Sequence, residues 1–309
     1  MTNDTATTVD WFRFRTQAAP GEALEALRAL YDWPGELVNF GDLGRGALGF
    51  KHSMPILLGS NCTLGRVDFG GESQRGWLRV DISGKGCSFV REWDNLDAVE
   101  SLSSSEVRRL DIALTTWKGQ VTHERVVAAH DEGKFTTRGR PPNLRQITNS
   151  DPRAGRTCYV GNREGDKFFR AYEKGFELAA KCGVPGQLTH IDGFAIEDIY
   201  RCELELKADG TAIPWETIER RDQYFAGAYP FCAEALPGIE PDILQRRPEK
   251  APQRELIAAL ENCRHQFGNT LFTALTAYHG DIGAVWDKIV GKAHNRHLLE
   301  AGVLLVDHE

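Results

Sequence analysis

No CxxC pair occurs among the seven cysteines, which are odd in number and scattered between Cys62 and Cys263. That spacing excludes a paired-cysteine zinc finger and argues against a disulfide framework, so the thiols read as small buried hydrophobes in a reducing compartment. Long apolar runs are also missing: none approaches the roughly 18–20 residues that a membrane helix needs. Met1 to Thr8 is polar and carries no apolar signal core. A soluble, cytoplasmic protein is therefore expected. What is present is balanced. Hydrophobic residues make up 41% and charged residues 26%, with 31 Gly and 13 Pro, which excludes collagen-like, coiled-coil and disordered classes. At about 150 residues per domain, 309 residues are enough for two.

The net charge of -7 conceals an asymmetry. Between Val107 and Gly175 stand fourteen basic residues against eight acidic ones, a local +6 that leaves -13 for the rest of the chain. A basic region inside an acidic chain is what contact with phosphates requires, although a solvated mixed-charge surface has the same composition.

The same order of elements is expected twice. Val9 to Arg15 alternates like a strand, Gly21 to Tyr31 has helical spacing, and strands follow at about 47–58, 63–69 and 76–83, then a helix at 94–102. The pattern restarts with a strand at 109–115 and a helix at 123–131. Strands at 145–149, 156–161, 167–174 and 199–207 follow, and a helix at 214–224 closes the pass. This order predicts an α+β fold of two related ferredoxin-like (split βαβ) antiparallel-sheet units plus a helical C-terminal region. The expected divisions are 9–105, a catalytic unit at 106–236, a proline-spaced linker at 237–252, and helices within 253–309 at 253–264, 270–278 and 282–290. Asp281 is the expected N-cap of the last helix.

Three strands carry candidate chemistry. In Tyr200 to Lys207, a period of two puts Cys202, Leu204 and Leu206 toward a core and Arg201, Glu203, Glu205 and Lys207 on the other face. Two carboxylates about 7 Å apart can hold a divalent cation, with cations beside them for phosphate. An ordinary salt-bridged solvent face fits the same pattern. In the strand at 109–115, Asp111 shares a face with Arg109, and Asp is unfavourable in mid-strand without a partner or ligand. Asp111 could complete a metal site with Glu203 and Glu205. In the strand at 167–174, Arg170, Tyr172 and Lys174 share a face, a phenol between cations that could stabilise a phenolate beside a phosphodiester. The basic loop at Arg138 to Pro142 and the hairpin tip at Gly161 to Asp166 offer Arg138, Arg140, Arg163 and Lys167 as DNA-binding candidates.

Taken in series, Arg109-Leu110-Asp111-Ile112-Ala113-Leu114, Gly139-Arg140-Pro141-Pro142, Tyr159-Val160-Gly161-Asn162-Arg163, Lys167 to Gly175 and Arg201 to Lys207 resemble the replication initiation factor (Rep_trans) family. That family contains rolling-circle initiators of filamentous phages and small plasmids and relaxases of integrative elements. Tyr224 to Pro230 is similar to its phage-type members. The resemblance implies a metal-assisted, tyrosine-dependent nicking and joining endonuclease acting on origin DNA. Tyr172 would form the 5′-phosphotyrosyl intermediate and leave a free 3′-OH, with Arg170, Lys174, Arg201 and Lys207 around the phosphate. Asp111, Glu203 and Glu205 would hold Mg2+ or Mn2+. The implied partners are a single-stranded or hairpin nick site and a host helicase, with no membrane, in the cytoplasm of a bacterial host; a homodimer is one option, and the sequence leaves the oligomeric state open.

Two departures qualify the match. Many members carry an acidic residue four positions after the first Asp, where this chain has Thr115, which implies a thinner metal set. No His-x-His pair occurs among the nine histidines, which fits a carboxylate-based site. Other readings remain at this point. A conjugative relaxase would use the same chemistry. A hydrolytic nuclease would use Asp111 with Glu205-Leu206-Lys207, and a non-catalytic origin-binding protein would use the basic face alone.

Overall fold

The computed structural model describes residues 6–137, 139–182, 188–209, 212–244, 252–295, 298–299 and 303–305. The chain divides into two compact units, Met1–Arg246 and Arg247–Glu309.

In the first unit the strands are β1 (Thr7–Thr16), β2 (Val38–Phe40), β3 (Gly44–Arg45), β4 (His52–Leu58), β5 (Cys62–Phe69), β6 (Leu78–Ile82), β7 (Glu106–Thr116), β8 (Leu144–Ile147), β9 (Thr157–Val160), β10 (Lys167–Tyr172), β11 (His190–Ile191), β12 (Phe194–Ala195) and β13 (Tyr200–Lys207). Among the described residues, eleven of these form one sheet in the order β2-β4-β5-β6-β1-β7-β13-β10-β9-β8, with β3 beside β4, and β11 and β12 pair separately. All the pairings are antiparallel. The helices are α1 (Pro20–Tyr31), α2 (Gly84–Cys87), α3 (Asp97–Glu100), α4 (His123–Asp131), α5 (Lys174–Lys181), α6 (Glu216–Glu219), α7 (Arg221–Ala228) and α8 (Pro230–Ala235).

The α+β, antiparallel reading holds, and the element order recurs in the sheet. In each half a strand runs into a helix and then into a meander that returns to the first strand, ending β6-β1 in one half and β7-β13 in the other. The halves do not close into two separate sheets. β1 pairs with β7, Phe12 opposite Leu110 and Arg13 opposite Arg109, which joins them edge to edge and removes two exposed sheet edges. The first strand also starts earlier than expected, at Thr7. Asp222 of α7 receives the Thr7 amide at 2.9 Å and the Thr7 hydroxyl at 2.5 Å, so this end of the chain is clamped into the second half.

One face of the sheet is apolar. Phe12, Phe14, Leu110, Ile112, Phe169, Ala171, Cys202 and Leu204 are buried there with Leu27 and Leu30 of α1 and Val126 and Ala129 of α4. The motif Tyr224 to Pro230 belongs to this packing: Phe225 is fully buried, and a Cβ on Gly227 would lie 1.8 Å from the Asp242 carbonyl oxygen. The opposite face carries the charged side chains.

The second unit contains α9 (Pro252–Ala277) and α10 (Ile282–Ile289). The two helices expected at 253–264 and 270–278 are one continuous helix. Gly268 lies inside it, because a single glycine costs only about 1 kcal/mol in a helix. Asp281 caps α10 as expected, accepting the Ala284 amide at 3.0 Å. No described helix is long and apolar enough to cross a membrane.

Candidate active site

β13 is the central strand of the second half, flanked by β7 and β10. Its alternation buries Cys202, Leu204 and Leu206 on the helical side and turns Glu203 and Glu205 to the other. These carboxylates are not solvated. Glu203 is 3% and Glu205 7% exposed, and Asp111 of β7, directly opposite Glu205, is 6% exposed. Three buried carboxylates in such proximity demand compensation.

Arginines supply it. Arg109 donates to both oxygens of Asp111, Nε to Oδ1 at 2.8 Å and Nη2 to Oδ2 at 2.6 Å, and Nη2 also reaches Glu205 Oε2 at 3.2 Å. Arg170 donates through Nε to Glu203 Oε2 at 2.8 Å, and its Nη2 bonds the same oxygen. Lys207 Nζ lies 3.1 Å from Glu205 Oε1 and donates to the Arg163 carbonyl. The Asp111 carboxyl is nonetheless pushed up to about 6: burial dominates, Arg109 opposes it, and the charges of Glu205 and Glu203 reinforce it.

Tyr172, at the end of β10, donates from Oη to Glu203 Oε1 at 2.7 Å and receives Lys174 Nζ at 3.3 Å. Arg170 and Lys174 stand 5.3 Å and 5.4 Å from its ring centre. Burial, followed by the charge of Glu203 and the hydrogen bond to it, raises the phenol's pKa. Burial, followed by the charge of Arg201, lowers that of the Lys174 ammonium. Lys174 is not on the strand. β10 ends at Tyr172, and Lys174 opens α5, reaching back to the hydroxyl while also bonding Glu177 at 3.0 Å.

A pocket of about 340 Å³ opens on this face, lined by Asp10, Trp11, Gly84, Arg109, Asp111, Arg163, Phe168, Arg170, Glu203 and Glu205. Tyr172 is not a lining residue; its hydroxyl meets the pocket at Glu203. The structure thus brings together Asp111, Glu203, Glu205, Arg170, Tyr172, Lys174 and Arg163, with Lys207 bound to Glu205. Arg201 stands beside Tyr172 in the strand register. Arg140 is exposed in its loop, and Arg138 lies outside the described residues. Lys167 is not at the site: it shares the apolar side of β10 with Phe169, and its Nζ donates to the Ala228 carbonyl at 2.7 Å and sits 3.9 Å from the Tyr229 ring centre. Its three-residue offset from Arg170 already places it on the opposite face.

Five lining residues, Asp10, Trp11, Gly84, Arg109 and Phe168, went unassigned in the sequence. Arg109 was visible there, two positions before Asp111. Phe168 had a similar signal, two positions before Arg170, and it stacks on Tyr159 at 5.6 Å. Asp10 and Trp11 had none, because they reach the site only through the β1–β7 pairing.

Among the described residues no three His, Cys, Asp or Glu side chains stand as a ready metal cluster, and Arg109 and Arg170 bond Asp111 and Glu203. The donor chemistry still suits a hard divalent cation. Acidic oxygens line one pocket, and the carboxyl at about 6 is held there partly by neighbouring negative charge. Thr115 is committed elsewhere, its Oγ1 accepting Arg201 Nε at 2.9 Å.

Residues 105–251 match the sequence model of the family described as replication initiation factor, Rep_trans. Among solved structures the chain is similar to a rolling circle replication initiator protein from Geobacillus stearothermophilus. The identity is 22% and the TM-score 0.47, over 65% of this chain and 74% of that one. No curated protein matches.

Proposed function

We propose that this chain, whose residues 105–251 match the replication initiation factor model, is a rolling-circle initiator that nicks and rejoins origin DNA through Tyr172. The observation that carries this reading is the Tyr172 hydroxyl, hydrogen-bonded to a buried carboxylate at 2.7 Å and to an ammonium at 3.3 Å beside an acidic and arginine-lined pocket. A phenol is a poor nucleophile while protonated, and its raised pKa keeps it so at rest. Glu203 Oε1 is placed to take the proton as Tyr172 Oη attacks phosphorus, and Lys174 Nζ favours the phenolate. The P–O3′ bond breaks, the 3′-oxygen leaves as a hydroxyl after protonation, and the 5′-phosphate stays on Tyr172. This linkage conserves the phosphodiester bond for rejoining. Arg170 and Arg163 are candidates to bind the non-bridging oxygens, whose charge grows in the transition state.

Asp111 and Glu205 would hold Mg2+ or Mn2+. Glu203, already shared between Tyr172 and Arg170, serves better as proton acceptor than as ligand. The cation would supply Lewis-acid polarisation of the scissile phosphate. A host helicase remains part of this proposal through the family resemblance alone.

A covalent-capture experiment tests the reading. Wild type, Tyr172→Phe and the control variants Tyr159→Phe and Tyr229→Phe are incubated with Mn2+ and labelled single-stranded DNA from around the gene, then run on a denaturing gel. An adduct lost only in Tyr172→Phe is expected. Cleavage without adduct, retained in Tyr172→Phe, would replace this reading with hydrolysis at Asp111, Glu205 and Lys207. DNA binding without cleavage would leave an origin-binding protein.

A further inference from the structure

Asp10 ties the first half of the sheet to the site by an ion pair. β1 and β7 pair in register at Val9–Ile112 and again at Trp11–Asp111, so Asp10 is the extra residue of a β-bulge. A bulge re-aims its side chains, and here Asp10 points to the charged face. Its Oδ1 accepts Arg201 Nη1 at 2.8 Å, while Arg201 Nε donates to Thr115 at 2.9 Å. Both ends of the Arg201 fork are therefore fixed, one from the second half and one from the first.

Two further observations show that this placement is built. Gly84, at the start of α2, lies so close that a Cβ there would stand 2.8 Å from the Asp10 carbonyl oxygen and 3.2 Å from Oδ1. Any other residue would displace the bulge. The strand is also pinned on both sides of Asp10, by the Asp222 clamp on Thr7 and by Asp81, which accepts both Arg13 Nε at 3.0 Å and the Trp11 indole N–H.

We propose that Asp10 is a positioning residue for the nicking reaction: it holds Arg201 beside Tyr172, so that the first half of the sheet sets the geometry of a site whose reacting groups all lie in the second. The assignment rests on the nicking reading of Tyr172. Arg201 is the strand partner of Tyr172, and an untethered guanidinium there would swing toward Glu203 or solvent. A carboxylate in this position is otherwise unfavourable next to a polyanionic substrate, which is the reason to expect it to act through Arg201.

The experiment measures single-turnover adduct formation and DNA affinity for wild type, Asp10→Ala, Asp10→Asn, Arg201→Ala and the double variant Asp10→Ala/Arg201→Ala, each first checked by thermal melting. Loss of an outer-shell partner commonly costs about 10–100-fold in activity. That drop is expected in the saturating rate of Asp10→Ala, with half-saturating DNA concentration changed less than about threefold. The double variant should be no slower than Arg201→Ala alone, because both substitutions remove one interaction. Asp10→Asn keeps an acceptor oxygen and should recover most of the rate, and it stands in if Asp10→Ala fails to fold. A wild-type rate in Asp10→Ala, effects that multiply in the double variant, or equal losses of affinity and rate would overturn the assignment. Absence of a Tyr172 adduct in wild type would instead overturn the nicking reading, and this inference with it.

Discussion

On β5 and β6 of the first half, each carboxylate of the charged face is held by arginine. Asp68, fully buried, takes Arg79 Nε at 3.0 Å with Arg66 3.3 Å away, and Asp81 takes Arg13 and the Trp11 indole. On β7 and β13 of the second half, three carboxylates share one pocket, and a phenol is bonded to one of them. The backbone plan is the same on both sides of the β1–β7 seam. The difference teaches that one backbone plan supplies a charged platform on both sides of the seam, and that the second half is set apart by acidic groups concentrated around a phenol.

The sharpest way to break the comparison is to remove the phenol proposed as nucleophile. Tyr172→Phe should reduce adduct formation by at least about 10³-fold, as loss of a nucleophile does in other enzymes, while the fold and DNA binding remain. Detection of an adduct on a first-half residue would end the distinction between the halves. Next in size is a structural test. Asp68→Asn leaves Arg79 buried without its counter-charge and should cost about 3–5 kcal/mol. The measurement is the urea midpoint at unchanged slope. The protein that remains folded should still form adduct, whereas lost chemistry in a fully folded variant would show that Asp68 also serves the site.

Asp111 offers a pH test. Its folded-state pKa of about 6 lies above the ordinary 3.8, so between these values the native state holds a proton that the unfolded chain has released. Stability from this group is present below about pH 4 and lost as pH rises through 6, by up to about 3 kcal/mol. Denaturation at pH 4.5 and 7.5 should show this fall in wild type relative to Asp111→Asn. Added Mn2+ should restore wild-type stability at pH 7.5 and leave the variant unchanged. Parallel behaviour of the two proteins at both pH values would remove the argument for a strained carboxylate. The smallest effect is expected at the loop: Arg140→Ala should weaken DNA binding a few-fold and reduce the salt slope by about 1. An unchanged slope would take this loop out of the interface.

Much of the site was legible from local pattern. Period-two alternation set Asp111, Glu203 and Glu205 on one face, and the spacing of Arg170 and Tyr172 put the phenol with them. Asp281 was readable as a cap because N-capping is decided within four residues. The same parity places Lys167 on the other side of β10, a signal present in the sequence and outweighed by the basic character of its neighbourhood. Lys174 followed neither pattern, since the strand stops at Tyr172 and a helix returns the ammonium to the hydroxyl. The long α9 was hidden by a glycine that a helix can absorb.

Amino-acid order alone determined the alternation of charged and apolar residues, the acidic and tyrosine-bearing strands, and the repeated succession of strand, helix and meander. These depend on residues a few positions apart, whose relative directions are dictated by backbone geometry. The tertiary structure decided that the two halves share one sheet, that a bulge turns Asp10 toward Arg201, and that the carboxylates are buried rather than solvated. Those outcomes depend on pairing between segments about a hundred residues apart, where register follows from edge hydrogen bonds and packing that no local pattern encodes.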